Sequence, residues 1–532
     1  MESITVILIL ILLALFYIVR KRQMNVLKRN GIDGPQPNLI VGNLWEFLNV
    51  RDAIVHKRYL KKYGKTCGYY FGHKMNVVTI DIELIKCFQI KDFDKFSDRQ
   101  QFNLRNGVQP HRFASSHIIS VKGSRWKEMR SILNPTFSAM KMKSMTPIIE
   151  SAIDIFVNKI DNYSKKECEF DIYKDFQLLT SDVIAKTAFG LNTNIQHNSD
   201  AEYFKAAKAV FDLKPSFLFL FLVCFPSLDF FLYPLRKFVE IVKEKSNNTP
   251  QIIVSRIIEK AIEFRQKSKT KISDLLQLLL DANIDEESLK NQTTNALEIK
   301  MNDDLVRNPT ENEPKETIVK KKMKTLNLTE IIANAIIFYE AGYETSSTAL
   351  GFIAHFLINK PEIQEKIRDE IKQVLQQEGT LDYNTISKLS YMQCVINESL
   401  RYYPPVTTFI TRNTKEDYPY KDIVIPKNAT IRISVDDLHH CEEYWPNHNV
   451  FDPERFREKK NADSMAFQPF GNGPRNCIGM RFALFEIKLA LAKLLLRYRL
   501  ITGPSTENNL TVEQKSITQT PKYGVFCKAV PI

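Results

Sequence analysis

The ten residues Phe470-Gly-Asn-Gly-Pro-Arg-Asn-Cys-Ile-Gly479 carry the most specific chemistry in the chain. A cysteine by itself is most often a small, inert hydrophobe, but the setting of Cys477 points elsewhere. Gly471 and Gly473 permit a tight loop whose backbone comes close to a flat ligand, and Pro474 stiffens it. An amphipathic helical pattern begins near Gly479, so the positive end of a helix lies beside the sulfur and favours thiolate over thiol. A thiolate is what an axial haem ligand must be, because its electron density favours O–O cleavage. Backbone N–H groups at the helix start can bond the sulfur and tune the metal, and Arg475 is positioned to meet a haem propionate.

Three further groupings carry weaker signals. Ala341-Gly-Tyr-Glu-Thr345 interrupts a long apolar helical run. Read plainly it is a small packing defect; read functionally it is an oxygen pocket. In the second reading Gly342 lets a ligand approach the backbone, the Thr345 hydroxyl bonds dioxygen, and Glu344 relays protons with water. Glu398 and Arg401 stand three apart on one helical face, which alone is a surface pair worth roughly 0.2–0.5 kcal/mol. Trp126 and Arg130 share a spacing that an exposed helix shows by chance.

The loop resembles the haem-binding loop of the cytochrome P-450 family, Phe-x-x-Gly-x-Arg-x-Cys-x-Gly, at every fixed position. Gln468 to Leu491 is especially similar to the animal microsomal type 3 clan of xenobiotic-metabolising enzymes, which also contains thromboxane synthase. The resemblance runs in the family's order from Trp126 to Gly479. It implies haem b on Cys477, with Phe470 and Gly342 against it and Trp126, Arg130, Arg412 and Arg475 at its propionates, since unpaired buried charge is costly. It implies that Glu398 and Arg401 are buried and locked to Arg455 of Phe451-Asp-Pro-Glu-Arg-Phe456, and that Thr345 and Glu344 are catalytic. The implied reaction inserts one oxygen atom from dioxygen into a lipophilic small molecule. NADPH electrons arrive through a membrane-bound reductase, with cytochrome b5 as a further donor, because the chain has no Gly-rich dinucleotide fingerprint of its own. The alternatives are an isomerase of the same haem-thiolate type, working without reductase, and a non-catalytic haem sensor or carrier. Ser346-Ser347 after Thr345 is a mild departure from the family's pattern.

These residues need a helical scaffold. Only 17 glycines in 532 residues argue against an all-β chain of tight turns. The expectation is a mainly α protein with small β-sheets, the cytochrome P-450 fold, preceded by one N-terminal transmembrane helix. Helical periodicity is clear over Ala333–Leu357, Glu362–Gln377, Thr385–Tyr402 and Gly479–Tyr498. Short strand-like pieces occur at Val77–Ile80, Ile423–Ile425 and Thr430–Val435. Segment 283–326, polar and without aromatics, reads as a disordered insertion. Leu213–Leu232 is rich in phenylalanine and reads either as a buried helix pair or as a substrate-pocket roof dipping into a membrane interface. Residues near 101–121, including Phe102 and Phe113, are expected to line the pocket below.

Ile4–Val19 is almost uninterrupted apolar sequence. From Met1 it gives about nineteen residues, roughly 28 Å of helix, enough to span hydrocarbon. Glu2 precedes it and Arg20, Lys21 and Arg22 follow, which favours an uncleaved anchor with a cytosolic body over a cleavable signal. The expected divisions are 1–22 anchor, 23–37 Pro/Gly linker acting as a stiff hinge, and 38–532 catalytic domain, on the endoplasmic reticulum membrane. The net charge of +13 suits membrane lipid or an acidic redox donor. No basic run is dense enough for a nucleic-acid arm. Eight scattered cysteines suggest neither disulfides nor zinc, and His439-His440 are read as structural.

Overall fold

The computed structural model describes residues 2–48, 50–99, 113, 115–191, 193, 195–198, 200–212, 216–245, 250–268, 274–281, 325–458, 461, 464–515 and 517–532. Of the insertion expected at 283–326, residues 283–324 lie outside them, as does Phe102; the described end at Leu326 is buried. Among the described residues the architecture is mainly helical with four small sheets.

Its axis is the helix Leu328–Asn359, apolar on almost every side and buried for most of its length, as a helix through the centre of a large core must be. Asn327 starts it with a capping box: its side chain accepts from the Glu330 N–H while the Glu330 carboxylate accepts from the Asn327 N–H. Helix Ile172–Phe189 crosses it closely because two contact positions are glycine. A Cβ on Gly342 would come within 2.9 Å of Ile184, and one on Gly351 within 2.8 Å of Tyr173. Gly342 is therefore as much a packing requirement of this crossing as an opening toward a ligand.

Helices Pro361–Glu378 and Met480–Arg497 match the expected periodic segments closely. The expected helix Thr385–Tyr402 is instead two pieces, Tyr383–Ile386 and Ser390–Tyr402. Asp382 caps the first with bonds to Asn384 and Thr385, and the break leaves the Ile386 and Leu389 carbonyls to accept from the buried Lys488 ammonium. Periodicity cannot register a side chain that arrives from a hundred residues away.

The largest sheet has the order Thr66–Phe71, Lys74–Thr79, Thr430–Ile433, Thr411–Asn413, with one parallel pair in the middle. Ile431 pairs with Val77 on one side and Arg412 on the other, so the sheet carries Arg412 inward.

The N-terminal helix runs from Glu2 to Met24 with its apolar side chains exposed, and it is long and apolar enough to cross a membrane. The Gly/Pro segment after it, expected to act as a hinge, makes packing contacts with the body. Arg20 is buried and donates to the carbonyls of Leu39 and Ile40, both at 2.8 Å, and its third nitrogen meets His73 Nδ1 at 3.1 Å. Gly34 packs on Gly68, Gly68 N–H donates to Asp33 O, and Leu27 N–H donates to the Tyr70 hydroxyl. The Gly/Pro stretch is thus a packed strap. Helices Phe217–Cys224 and Asp229–Lys245 leave Phe217, Phe230 and Phe231 exposed at 82%, 81% and 74%, so the buried-pair reading fails there.

Candidate active site

A cavity of about 540 Å³ lies between the central helix, the loop before Met480 and the Arg412 strand. Cys477 opens onto it. Gly471 and Gly473 adopt φ of +66° and +72°, the left-handed region where a Cβ is strained, and a Cβ on Gly473 would strike the Gln89 carbonyl. Cys477 N–H donates to Phe470 O at 2.8 Å and Asn476 N–H to Gly473 O at 3.0 Å, which closes the loop on itself and leaves the sulfur projecting. The Gly479 N–H bonds the sulfur and the charges of Arg130 and Arg99 favour thiolate. Burial outweighs all three, so the thiol stands above its ordinary value. The expected helix-start effect is present but does not alone produce a thiolate.

One end of the cavity is cationic. Arg99, Arg130, Arg412 and Arg475 all line it. Arg475 lies over the Trp126 ring at 4.2 Å and donates to Ser97 O. Arg130 donates to both oxygens of Asn476, at 3.0 and 2.8 Å, and so also braces the cysteine loop. The Nε atoms of Arg99, Arg130 and Arg412 are buried without a partner. Among the described residues the carboxylate paired with this group is Asp98, 3.9 Å from Arg475. Burial and mutual repulsion push Arg99 down to about 10, Arg475 down to about 9, and Arg412 well below the ordinary guanidinium value. Buried cations in such excess are costly unless anions complete them. Arg99 carries no signal in the sequence, being one arginine in a polar stretch.

Thr345 donates to Ala341 O at 2.7 Å and, with Gly342 and Ser346, also lines the cavity. Glu344 is buried off the wall; desolvation raises its carboxyl to about 7, against the pull of Lys515 and a hydrogen bond with Tyr343. Two carboxylates went unmarked in the sequence reading: Glu340 on the wall itself, and Glu486, wholly enclosed, raised to about 8 by burial and bonded to Ser346. From the segment expected to line the pocket, Ser115 and His117 to Ser120 do so; Phe113 is buried but is not on the wall.

Below the loop, Arg401 forms a two-pronged pair with Glu398 at 2.7 and 2.8 Å, both residues being completely buried, and Arg455 reaches the same carboxylate at 3.3 Å. Arg401 also donates to His439 O, and His439 Nε2 accepts from the Gln468 N–H at the root of the cysteine loop. The lock is thus wired to the loop through His439. All eight cysteines are free, and among the described residues no His, Cys, Asp and Glu cluster suits a metal ion.

A family model described as Cytochrome P450 matches residues 32–527. Thromboxane-A synthase of Rattus norvegicus is 31% identical over 536 residues, covering 99% of this chain and 97% of that enzyme. Cytochrome P450 3A2 of Rattus norvegicus and cytochrome P450 3A11 of Mus musculus are each 31% identical over 534 residues, covering 99% of this chain and 96% of theirs.

Proposed function

The chain belongs to the cytochrome P450 family, and from that premise we propose a haem-thiolate monooxygenase that inserts one atom of dioxygen into a lipophilic organic substrate. The family's haem fits the residues present: a sulfur projects from a glycine loop at one point of the cavity, and an excess of buried arginine at one end matches a dianion. Cys477 holds the iron, and Arg99, Arg130, Arg412 and Arg475 hold the propionates, with Trp126 and Phe470 beside them. When bound, the haem supplies the activation of dioxygen with electrons from outside the chain.

The observation that supports oxygen activation is a hydroxyl on the cavity wall, Thr345, next in sequence to the buried Glu344 carboxyl. The Thr345 hydroxyl lies on the wall, and releasing its bond to Ala341 O lets it donate into the cavity. A carboxyl raised to about 7 holds and releases protons near neutrality. NADPH electrons come from a flavoprotein reductase at the endoplasmic reticulum membrane, with cytochrome b5 as a second donor. Phe217, Phe230 and Phe231 dip into that membrane beside the single anchor, so lipophilic substrates enter from the bilayer.

An isomerase acting on an oxygenated lipid is the second reading, favoured by similarity to a thromboxane-A synthase at the same 31% as to the 3A enzymes. One measurement tests both readings and a second separates them. The reduced, carbon-monoxide-bound wild type should show a strongly red-shifted Soret band that Cys477→Ala loses; a histidine-like band unchanged in the variant ends both. Thr345→Ala should lose most NADPH-supported turnover with reductase, and full retention rejects the monooxygenase assignment of that residue.

A further inference from the structure

We infer that the exposed face of the helix Asp52–Tyr63 is a docking surface for anionic phospholipid headgroups. The inference rests on the reading of the chain as membrane-anchored and is independent of its oxygen chemistry. Ala53, Val55, His56, Tyr59 and Leu60 turn inward from this helix. Ile54, Lys57, Arg58, Lys61 and Lys62 recur three and four apart on its other side and are all exposed. The helix holds one acid, Asp52, and Arg432 takes it up at 3.8 Å. None of the four cations forms an ion pair with a described residue. Like charges at this spacing repel one another, and an anionic surface relieves that cost.

The position of the helix favours lipid over an acidic protein. Arg20, near the end of the apolar N-terminal helix, holds the Leu39 and Ile40 carbonyls. Asn43 N–H donates to Tyr70 O at 2.6 Å, and Tyr70 N–H donates to Asn43 Oδ1 at 2.9 Å. Phe47 then stacks on Tyr69 and meets the Tyr59 ring edge-on. The end of the anchor, residues 39–47 and the basic helix are thus fixed to one strand, Thr66–Phe71. Along that connection Ile40, Trp45 and Ile54 are exposed at 51%, 67% and 40%, and Lys21, Arg22, Lys28 and Arg29 are exposed around the anchor's end. Tryptophan prefers the headgroup level of a bilayer, and basic clusters beside a span gather anionic lipid. Apolar contact and charge attraction therefore act together on one lip of the body, a combination suited to a lipid surface.

The test uses the full-length protein reconstituted in vesicles of phosphatidylcholine alone and of an equal mixture of phosphatidylcholine and phosphatidylserine. Brief acetylation read by mass spectrometry reports each lysine, with Lys366 on helix Pro361–Glu378, 62% exposed, as the reference. In the mixed vesicles Lys57, Lys61 and Lys62 should label at least roughly five-fold more slowly than in the neutral ones, and high salt should restore them. Equal labelling in the two vesicles overturns the inference. So does protection by soluble polyglutamate with none from phosphatidylserine, which assigns the face to an acidic protein. A second readout uses Trp45, which is exposed while Trp126 and Trp445 are buried. Brominated phosphatidylcholine should quench it more in the mixed vesicles than in the neutral ones. A variant carrying Lys57→Gln, Arg58→Gln, Lys61→Gln and Lys62→Gln, all at exposed positions, should lose that difference, and a difference that persists overturns the inference. Protein that fails to enter phosphatidylcholine vesicles at all rejects the anchor reading instead, so the two failures give different results.

Discussion

Single side chains here are governed by what the cavity holds. Arg412 is fully buried, and its Nε lacks a partner. In the haem-free protein it is an uncompensated charge; beside a propionate it is half of an ion pair. Arg412→Met should therefore stabilise the apoprotein by roughly 1–3 kcal/mol while speeding haem loss, two effects of opposite sign from one change. Denaturant melts of the apoprotein and transfer of haem to an acceptor globin measure them separately, and a variant destabilised in both forms contradicts the assignment. Glu486 tests burial in another way. Its folded value is about 8 against an ordinary 4.5, so between those values the folded state holds a proton that the unfolded chain releases. Its contribution is fully present below about pH 4.5 and is lost as pH rises toward 8, at about 1.4 kcal/mol per pH unit. Glu486→Gln should show a shallower fall of stability from pH 5 to 8 than wild type, and parallel curves exclude the effect. The cysteine loop was legible because glycines with positive φ, a proline and a helix start leave a local signature. Arg99, Glu340 and Glu486 were not, because each acquires meaning only from the distant segments that enclose it.

Among elements, the decisive coupling runs from the helix Ser390–Tyr402 to the loop before Met480. Glu398 accepts two bonds from Arg401, one from Arg455 and one from the Asp452 N–H. Arg401 then reaches His439 O, and the His439 ring holds the Gln468 N–H. Removing the carboxylate strands two guanidiniums, one of them fully enclosed. Glu398→Ala should cost roughly 3–5 kcal/mol, Glu398→Gln less, and the loosened Gln468 end should raise the fraction of protein without the thiolate spectrum. Thermal melts followed by circular dichroism and by the Soret band test this together; a Tm within a few degrees of wild type places the lock outside the stability of the loop. Helix periods located the long elements well because their apolar faces repeat. The break at 387–389 escaped because the group that stabilises it, Lys488, lies on another helix.

At the scale of the whole molecule, the N-terminal helix packs against the aromatic segment around Phe225. Arg20, in the last turns of the anchor, is tied to Leu39 and Ile40, and its guanidinium lies 5.6 Å from the Phe225 ring; Phe16 and Phe225 stand 6.4 Å apart. The helix therefore leaves the body at a set angle, next to the segment that presents Phe217, Phe230 and Phe231 to solvent. The apolar run read from the sequence marks a helix long and apolar enough to cross a membrane, but its length says nothing about how it docks. That depends on carbonyls in a strap expected to be a hinge. If the aromatic helices are a second membrane contact, a chain lacking residues 2–17 but keeping Arg20 should still bind neutral phosphatidylcholine vesicles. Replacing Phe217, Phe230 and Phe231 by serine in that chain should weaken binding by at least roughly ten-fold, since each buried phenylalanine is worth on the order of 1.5–3 kcal/mol. The binding should change little between low and high salt, because apolar contact is not screened as charge attraction is. Co-sedimentation reads both quantities. Binding that vanishes with residues 2–17, or that survives in the triple variant and collapses with salt, would assign attachment to the anchor alone or to the basic surface, and the roof would then face water rather than lipid.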